Sequence, residues 1–125
     1  MPSASSMTRF PAFILACAWV LVAAVVYLSI STTIVELPGD AGGHYTHVAA
    51  YALLMFVFSH AYREARAALI LAAALFALGI GLEYVQRYSG YRNFELADMV
   101  SDAVGIGLGW LLFCLTSAIR RTHAA

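Results

Sequence analysis

The sequence predicts an all-α protein, a four-helix transmembrane bundle with both termini on the cytoplasmic side. Three observations predict it. Hydrophobic residues make up 62% of the 125 and charged residues only 11%, well outside the balance of a soluble domain. The few ionisable residues stand at the ends of four apolar runs, each close to the ~20 residues that a ~30 Å hydrocarbon core requires of a helix. The arginines also divide unevenly between the two ends of those runs, and the chain has no lysine.

The first span is expected near 10–31. No charge occurs between residues 10 and 35, a run longer than the apolar region of a secretory signal, and no Ala-x-Ala follows it closely, so it is read as a retained helix. Residues 3–6 are expected to be disordered. Pro38, Gly39, Gly42 and Gly43 mark a breaker-rich connection. A second span near 45–62 follows, then a tight turn over 62–67, a third span near 67–87, a loop over 87–95 and a fourth span near 96–119. With 125 residues in four spans there is no room for a second domain.

Orientation follows from charge. Arg9, Arg63, Arg66, Arg120 and Arg121 share one side, and only Arg87 and Arg92 fall on the other. The positive-inside bias places the larger group in the cytoplasm. Glu36, Asp40, Glu83, Glu95, Asp98 and Asp102 then lie outside, with Glu64 alone inside. Tyr45, Tyr51, Tyr84, Tyr88 and Tyr91 fall near the outer boundary, as interfacial aromatics do. A net charge of zero leaves no electrostatic footprint for nucleic acid. Cys17 and Cys114 lie within apolar runs without Cys-x-x-Cys spacing, which reads as packing.

This topology brings three helix ends together on the outer side. The second span opens with His44, His47 and Tyr51 at i, i+3, i+7. The third closes with Gly79, Glu83 and Gln86, and the fourth begins with Asp98, Asp102, Gly105 and Gly109 at i, i+4, i+7, i+11. The uncharged part of the third span, 67–82, is 16 residues, and that of the fourth, 103–119, is 17. Both are short of a full crossing, so Glu83 and Asp102 are drawn below the interface. Ionisable residues there usually face a bundle interior or cavity and mark function. The structural reading is a hydrogen-bonded network that locks the helices, with the glycines permitting close approach. Physics alone favours neither.

His47-x-x-x-Tyr51, Glu83-x-x-Gln86, and Arg92 followed by Asp98 and Gly105-x-Gly107-x-Gly109 resemble the ordered blocks of the VanZ-like family of small bacterial membrane proteins. The resemblance covers residues 40 to 110. Gly43 and His44 stand where the family often has Asp-Lys, and Asp102 stands where an Asn is usual. The resemblance implies a single VanZ-like domain over 1–125 in the bacterial inner membrane. It also implies a role of the glycopeptide-resistance type, on a polar or lipid-linked cell-envelope substrate. Under that reading His47, Glu83 and Asp98 are the catalytic candidates, and Arg92, Gln86, Tyr51 and Asp102 the substrate-binding ones. Arg92 would grip an anion as a planar fork donor. The partners expected are the lipid bilayer, such a substrate, and a second copy or another envelope protein.

The sequence names no cofactor and carries no metal-ligand motif. His44 and His47 with Glu83, Asp98 and Asp102 offer nitrogen and oxygen donors suited to Zn²⁺, whereas the family's lysine at position 44 argues against an ion. The competing class is a non-enzymatic accessory protein whose cluster only holds the bundle together.

Overall fold

The computed structural model describes residues 4–31, 43–90 and 96–124, with side chains from residue 12 onward. All regular structure among the described residues is helical. The four helices are α1 (Ala4–Ile30), α2 (His44–Ala61), α3 (Ala65–Tyr88) and α4 (Leu96–Ala124). Two ends run past the expected spans. α1 already begins at Ala4, so residues 4–6 are helical rather than disordered, and α4 continues beyond 119 through Arg120, Arg121 and His123. Hydropathy marks where the hydrocarbon stops, but a helix satisfies its own backbone and can continue into water.

Glycine sets two of the turns. Gly43 precedes α2 with φ 75°, and Gly90 follows α3 with φ 74°, the left-handed region that glycine enters without steric cost. At the end of α3, Ser89 N–H donates to Val85 O at 3.0 Å and Gly90 N–H to Arg87 O at 3.2 Å, which satisfies carbonyls that the helix end would otherwise orphan.

Specific contacts fix the arrangement. His44 meets Asp98, His47 meets Asp102, and His60 meets Arg120, so α2 and α4 run parallel along the whole of α2. Gly105 lies against Val48 and Gly109 against Ala52, which extends the same register. Gly79 on α3 faces Asp102, while Glu83 nears Asp98, so α3 runs antiparallel to α4. α2 is central: it packs against all three other helices, most extensively α4, and no direct α1–α4 packing occurs among the described residues.

The core around Leu54, Met55, Phe58, Leu75 and Ile106 is apolar, but the remaining side chains depart from the pattern of a soluble bundle. Glu83, Gln86, Asp98, Asp102 and Ser59 are buried, while Leu69, Ile70, Leu108, Leu111, Leu112, Leu115 and Ile119 are exposed. Three helices are long and apolar enough to cross a membrane: Ala12–Ile30 within α1, Ala65–Tyr88 and Leu96–Ala124. α2 is not among them, since its 18 residues include His44, His47 and His60. Being surrounded by the other three helices, α2 has the least need of an apolar surface. Its buried stripe is Tyr51, Leu54, Met55, Phe58 and Ser59, a 3.6-residue period.

Two placements differ from expectation. Tyr51 is 3% exposed and belongs to the core rather than to an interfacial belt, because the close approach of Gly105 to its Cβ encloses it. Cys17 is exposed on α1 instead of packed inside, and both cysteines are free thiols.

Candidate functional site

The site lies at the end of the bundle where α2 and α4 begin and α3 finishes. Each helix supplies its polar residues from the stripe it buries. On α4 this stripe is Asp98, Asp102, Gly105, Ile106, Gly109 and Phe113, and on α3 it is Ala68, Leu75, Gly79, Glu83 and Gln86. The acids therefore point inward for the same geometric reason that Ile106 and Leu75 do.

Two imidazole–carboxylate pairs cross from α2 to α4. His44 Nδ1 donates to Asp98 Oδ1 at 3.0 Å, and His47 Nδ1 to Asp102 Oδ1 at 2.7 Å. The carboxylates are enclosed, with Asp98 at 0% and Asp102 at 1% exposure. The histidine side chains are more open, His44 at 36% and His47 at 18%, so the cluster reaches its surroundings through the imidazoles. Glu83 adds a third buried carboxylate from α3. One potential ligand atom each from His47, Glu83 and Asp98 lies within 4.8 Å of the others.

Glycines make this convergence possible. A Cβ on Gly79 would collide with Asp102 Oδ2 and come within 3.1 Å of the Tyr51 hydroxyl. Gly79 thus admits the Asp102 carboxylate and the tip of Tyr51 to the surface of α3.

Of the seven residues singled out as catalytic or substrate-binding, the structure gathers His47, Glu83, Asp98, Asp102 and Tyr51 at this end. Gln86 is also buried there, but its Nε2 donates to Ser29 O on α1 at 2.9 Å, which ties α3 to α1. Arg92 lies outside the described residues. His44, outside those seven, is the first residue of α2 and holds Asp98. Its i, i+3 relation to His47, matched against Asp98 and Asp102 at i, i+4, was the signal for it.

A second polar tie joins α2 and α4 at the opposite end. His60 Nδ1 donates to Phe56 O at 2.8 Å, and its Nε2 accepts from Arg120 Nη2 at 2.9 Å. Phe56 and Phe113 flank the ring edge-on. Sequence reasoning passed over His60, since a lone histidine at a helix end carries no pattern.

Toward the α2–α3 turn, a cavity of about 490 Å³ opens among α1, α2 and α3, lined by Trp19, Phe58, Tyr62, Ala67, Leu71 and Leu75 among others. Its lining is apolar. Of its α3 lining only Leu75 lies on the stripe that carries Gly79 and Glu83; Ala67, Ile70, Leu71, Ala74 and Leu78 occupy the adjacent face.

Chemically, a histidine held through Nδ1 by a carboxylate presents Nε2 in a fixed orientation, either as a proton acceptor or as a metal ligand. Comparison with known proteins finds no matching family model, curated protein or solved structure.

Proposed function

We propose that this chain is a VanZ-like protein of the bacterial inner membrane, crossing it four times with both termini in the cytoplasm. In this reading the polar cluster faces the extracytoplasmic side and acts on, or binds, a polar or lipid-linked envelope substrate. One observation carries the proposal: three buried carboxylates and two part-exposed imidazoles from three helices gather at one end of an otherwise apolar bundle. Burying such groups is costly, and a single packing contact needs far fewer of them.

His47, oriented by Asp102, would handle a proton, Glu83 and Asp98 would serve as further acid–base groups, and Arg92 would hold an anionic group.

The accessory-protein reading has its own support in the glycine contacts of Gly105 and Gly109 with the α2 backbone, which make α2–α4 a tightly packed unit. Paired measurements of membrane abundance and envelope or glycopeptide-resistance phenotype separate the two readings. Glu83→Gln and Arg92→Lys are near-isosteric, the first removing proton transfer and the second the fork geometry. Under the proposal both variants insert normally and lose the phenotype. A normal phenotype in both, at normal abundance, overturns it in favour of the accessory role.

A further inference from the structure

We infer that His47, Glu83 and Asp98 form a binding site for a divalent transition-metal ion, with Asp102 holding His47 in its ligating orientation. The potential ligand atoms lie within 4.8 Å of one another, and the three residues come from α2, α3 and α4. The set is therefore assembled by the bundle and not by one helix. Glu83 and Asp98 are 2% and 0% exposed. Carboxylates brought together away from water repel each other, and a shared cation offsets that repulsion.

Metal-bound imidazoles generally hold one ring nitrogen on a carboxylate and offer the other to the ion, and His47 has the first part of that arrangement. His47 Nδ1 is bonded to Asp102 Oδ1 at 2.7 Å, which leaves Nε2 to ligate. His44 supports the second side of the site, its Nδ1 3.0 Å from Asp98 Oδ1.

The donor set narrows the ion. One imidazole with two carboxylates suits Zn²⁺ or Mn²⁺, whereas Mg²⁺ prefers oxygen donors and keeps its waters. Zinc binds these donors at about 2.0–2.2 Å, so the ligands draw inward on binding, Glu83 by rotation about its flexible side chain. Three protein ligands are the number found in catalytic zinc sites, which keep a coordination position for water or substrate. The ion is read from ligand geometry; the inference rests on the proposed envelope function only for what that open position receives.

The test is titration of the detergent-purified, metal-stripped protein with Zn²⁺, Mn²⁺ and Mg²⁺ by calorimetry, with Co²⁺ as a spectroscopic substitute. The expected result is one Zn²⁺ per chain, bound more tightly than Mn²⁺ and far more tightly than Mg²⁺. Glu83→Gln removes stoichiometric binding, Asp102→Asn weakens it about 10- to 100-fold, and the exposed control Glu64→Gln leaves it unchanged. Zn²⁺ raises the melting temperature of the unmodified protein but not that of Glu83→Gln. If either variant fails to fold, the Co²⁺ spectrum of the unmodified protein decides, and thiolate bands from Cys17 or Cys114 overturn the inference. Absence of stoichiometric binding in the unmodified protein overturns it too, as does equal binding in Glu83→Gln. Metal binding by the unmodified protein that is lost in a well-folded Glu83→Gln of normal phenotype overturns the envelope role and leaves the site standing. Loss of phenotype without any metal binding does the reverse.

Discussion

His47 and Asp102, 2.7 Å apart between Nδ1 and Oδ1, form the lower of two stacked rungs that join α2 to α4. The upper rung is His44 with Asp98 at 3.0 Å. The histidines are three residues apart and the aspartates four. At 1.5 Å of rise per residue the rungs are about 4.5 to 6 Å apart along parallel axes. One turn further in, Tyr51 packs on Gly105, so the same register passes without interruption from polar pairs to apolar core.

Asp102 is therefore expected to separate orientation from packing. Asp102→Asn keeps the shape and an acceptor oxygen, and the protein should insert and melt near the unmodified value while losing the envelope phenotype. Asp102→Ala strips the partner from a part-buried His47 and should cost about 1–3 kcal/mol of stability, read as a lower melting temperature in detergent. Equal phenotypes for Asp102→Asn and the unmodified protein would assign the pair to packing alone.

Gly79→Ala should reproduce the loss expected of Asp102 variants although it changes no polar group. The added Cβ collides with the Asp102 carboxylate and crowds the Tyr51 hydroxyl, so Asp102 must leave His47. Gly81 on the same helix has nothing within 4 Å of the corresponding position, and Gly81→Ala should be silent. Phenotype at matched abundance checks both, and a normal Gly79→Ala protein would contradict the placement of Asp102.

Closer approach of backbones makes Gly109 less forgiving. Its Cβ position collides with the Ala52 carbonyl, which no rotamer change can relieve, while Gly107 faces open space. Gly109→Ala should destabilise by about 1–3 kcal/mol or more, the usual range for overpacking, and Gly107→Ala by much less. Thermal melts of the two variants make the comparison. They would also show that the Gly105-x-Gly107-x-Gly109 run is not one device: its outer members pack on α2 and its middle member does not.

The helices were legible because a bilayer imposes length and polarity together, so 62% apolar composition and sparse charges locate elements closely. The convergence of Glu83, Asp98 and His47 was legible through topology, since alternate helix ends must meet on one side. Pairing was not. Nothing in the spacing shows that His47 takes Asp102 and not Asp98, because that depends on the relative shift of α2 and α4, which Gly105 and Gly109 set by contact. The role of Gln86 was hidden for a related reason: its partner is the Ser29 carbonyl, and backbone acceptors leave no trace in sequence. Tyr51 was placed near the interface by composition, which does not distinguish a tyrosine facing lipid from one facing glycine.

The His60–Arg120 tie should contribute stability and nothing to function. Arg120 is exposed, so Arg120→Ala should cost less than about 1 kcal/mol. His60→Ala loses two edge-on ring contacts, with Phe56 and Phe113, each worth about 0.5–1.5 kcal/mol, and should melt lower than Arg120→Ala. Both should keep the envelope phenotype, because the cluster lies at the other end of α2. Loss of phenotype at full abundance in either variant would mean that the two ends are coupled.

Topology is open to direct measurement. With Cys17 and Cys114 replaced by alanine, a single cysteine at Ser89 reports the end of α3 and one at Arg63 reports the α2–α3 turn, both exposed positions. The positive-inside argument puts Arg63 and Arg66 in the cytoplasm, so an impermeant thiol reagent added to intact cells should label the Ser89 variant alone. Permeabilisation should then admit label to the Arg63 variant. Since α2 is the helix whose composition falls short of a self-sufficient span, a third reporter at the start of α2 tests whether it crosses. If α2 failed to cross, both sites would still be separated by α3, but a reporter at the exposed Tyr45 would label with Arg63 and not with Ser89. Co-labelling of Tyr45 and Ser89 from outside is the expected outcome, and it would place His44, His47, Glu83, Asp98 and Asp102 together at the extracytoplasmic face.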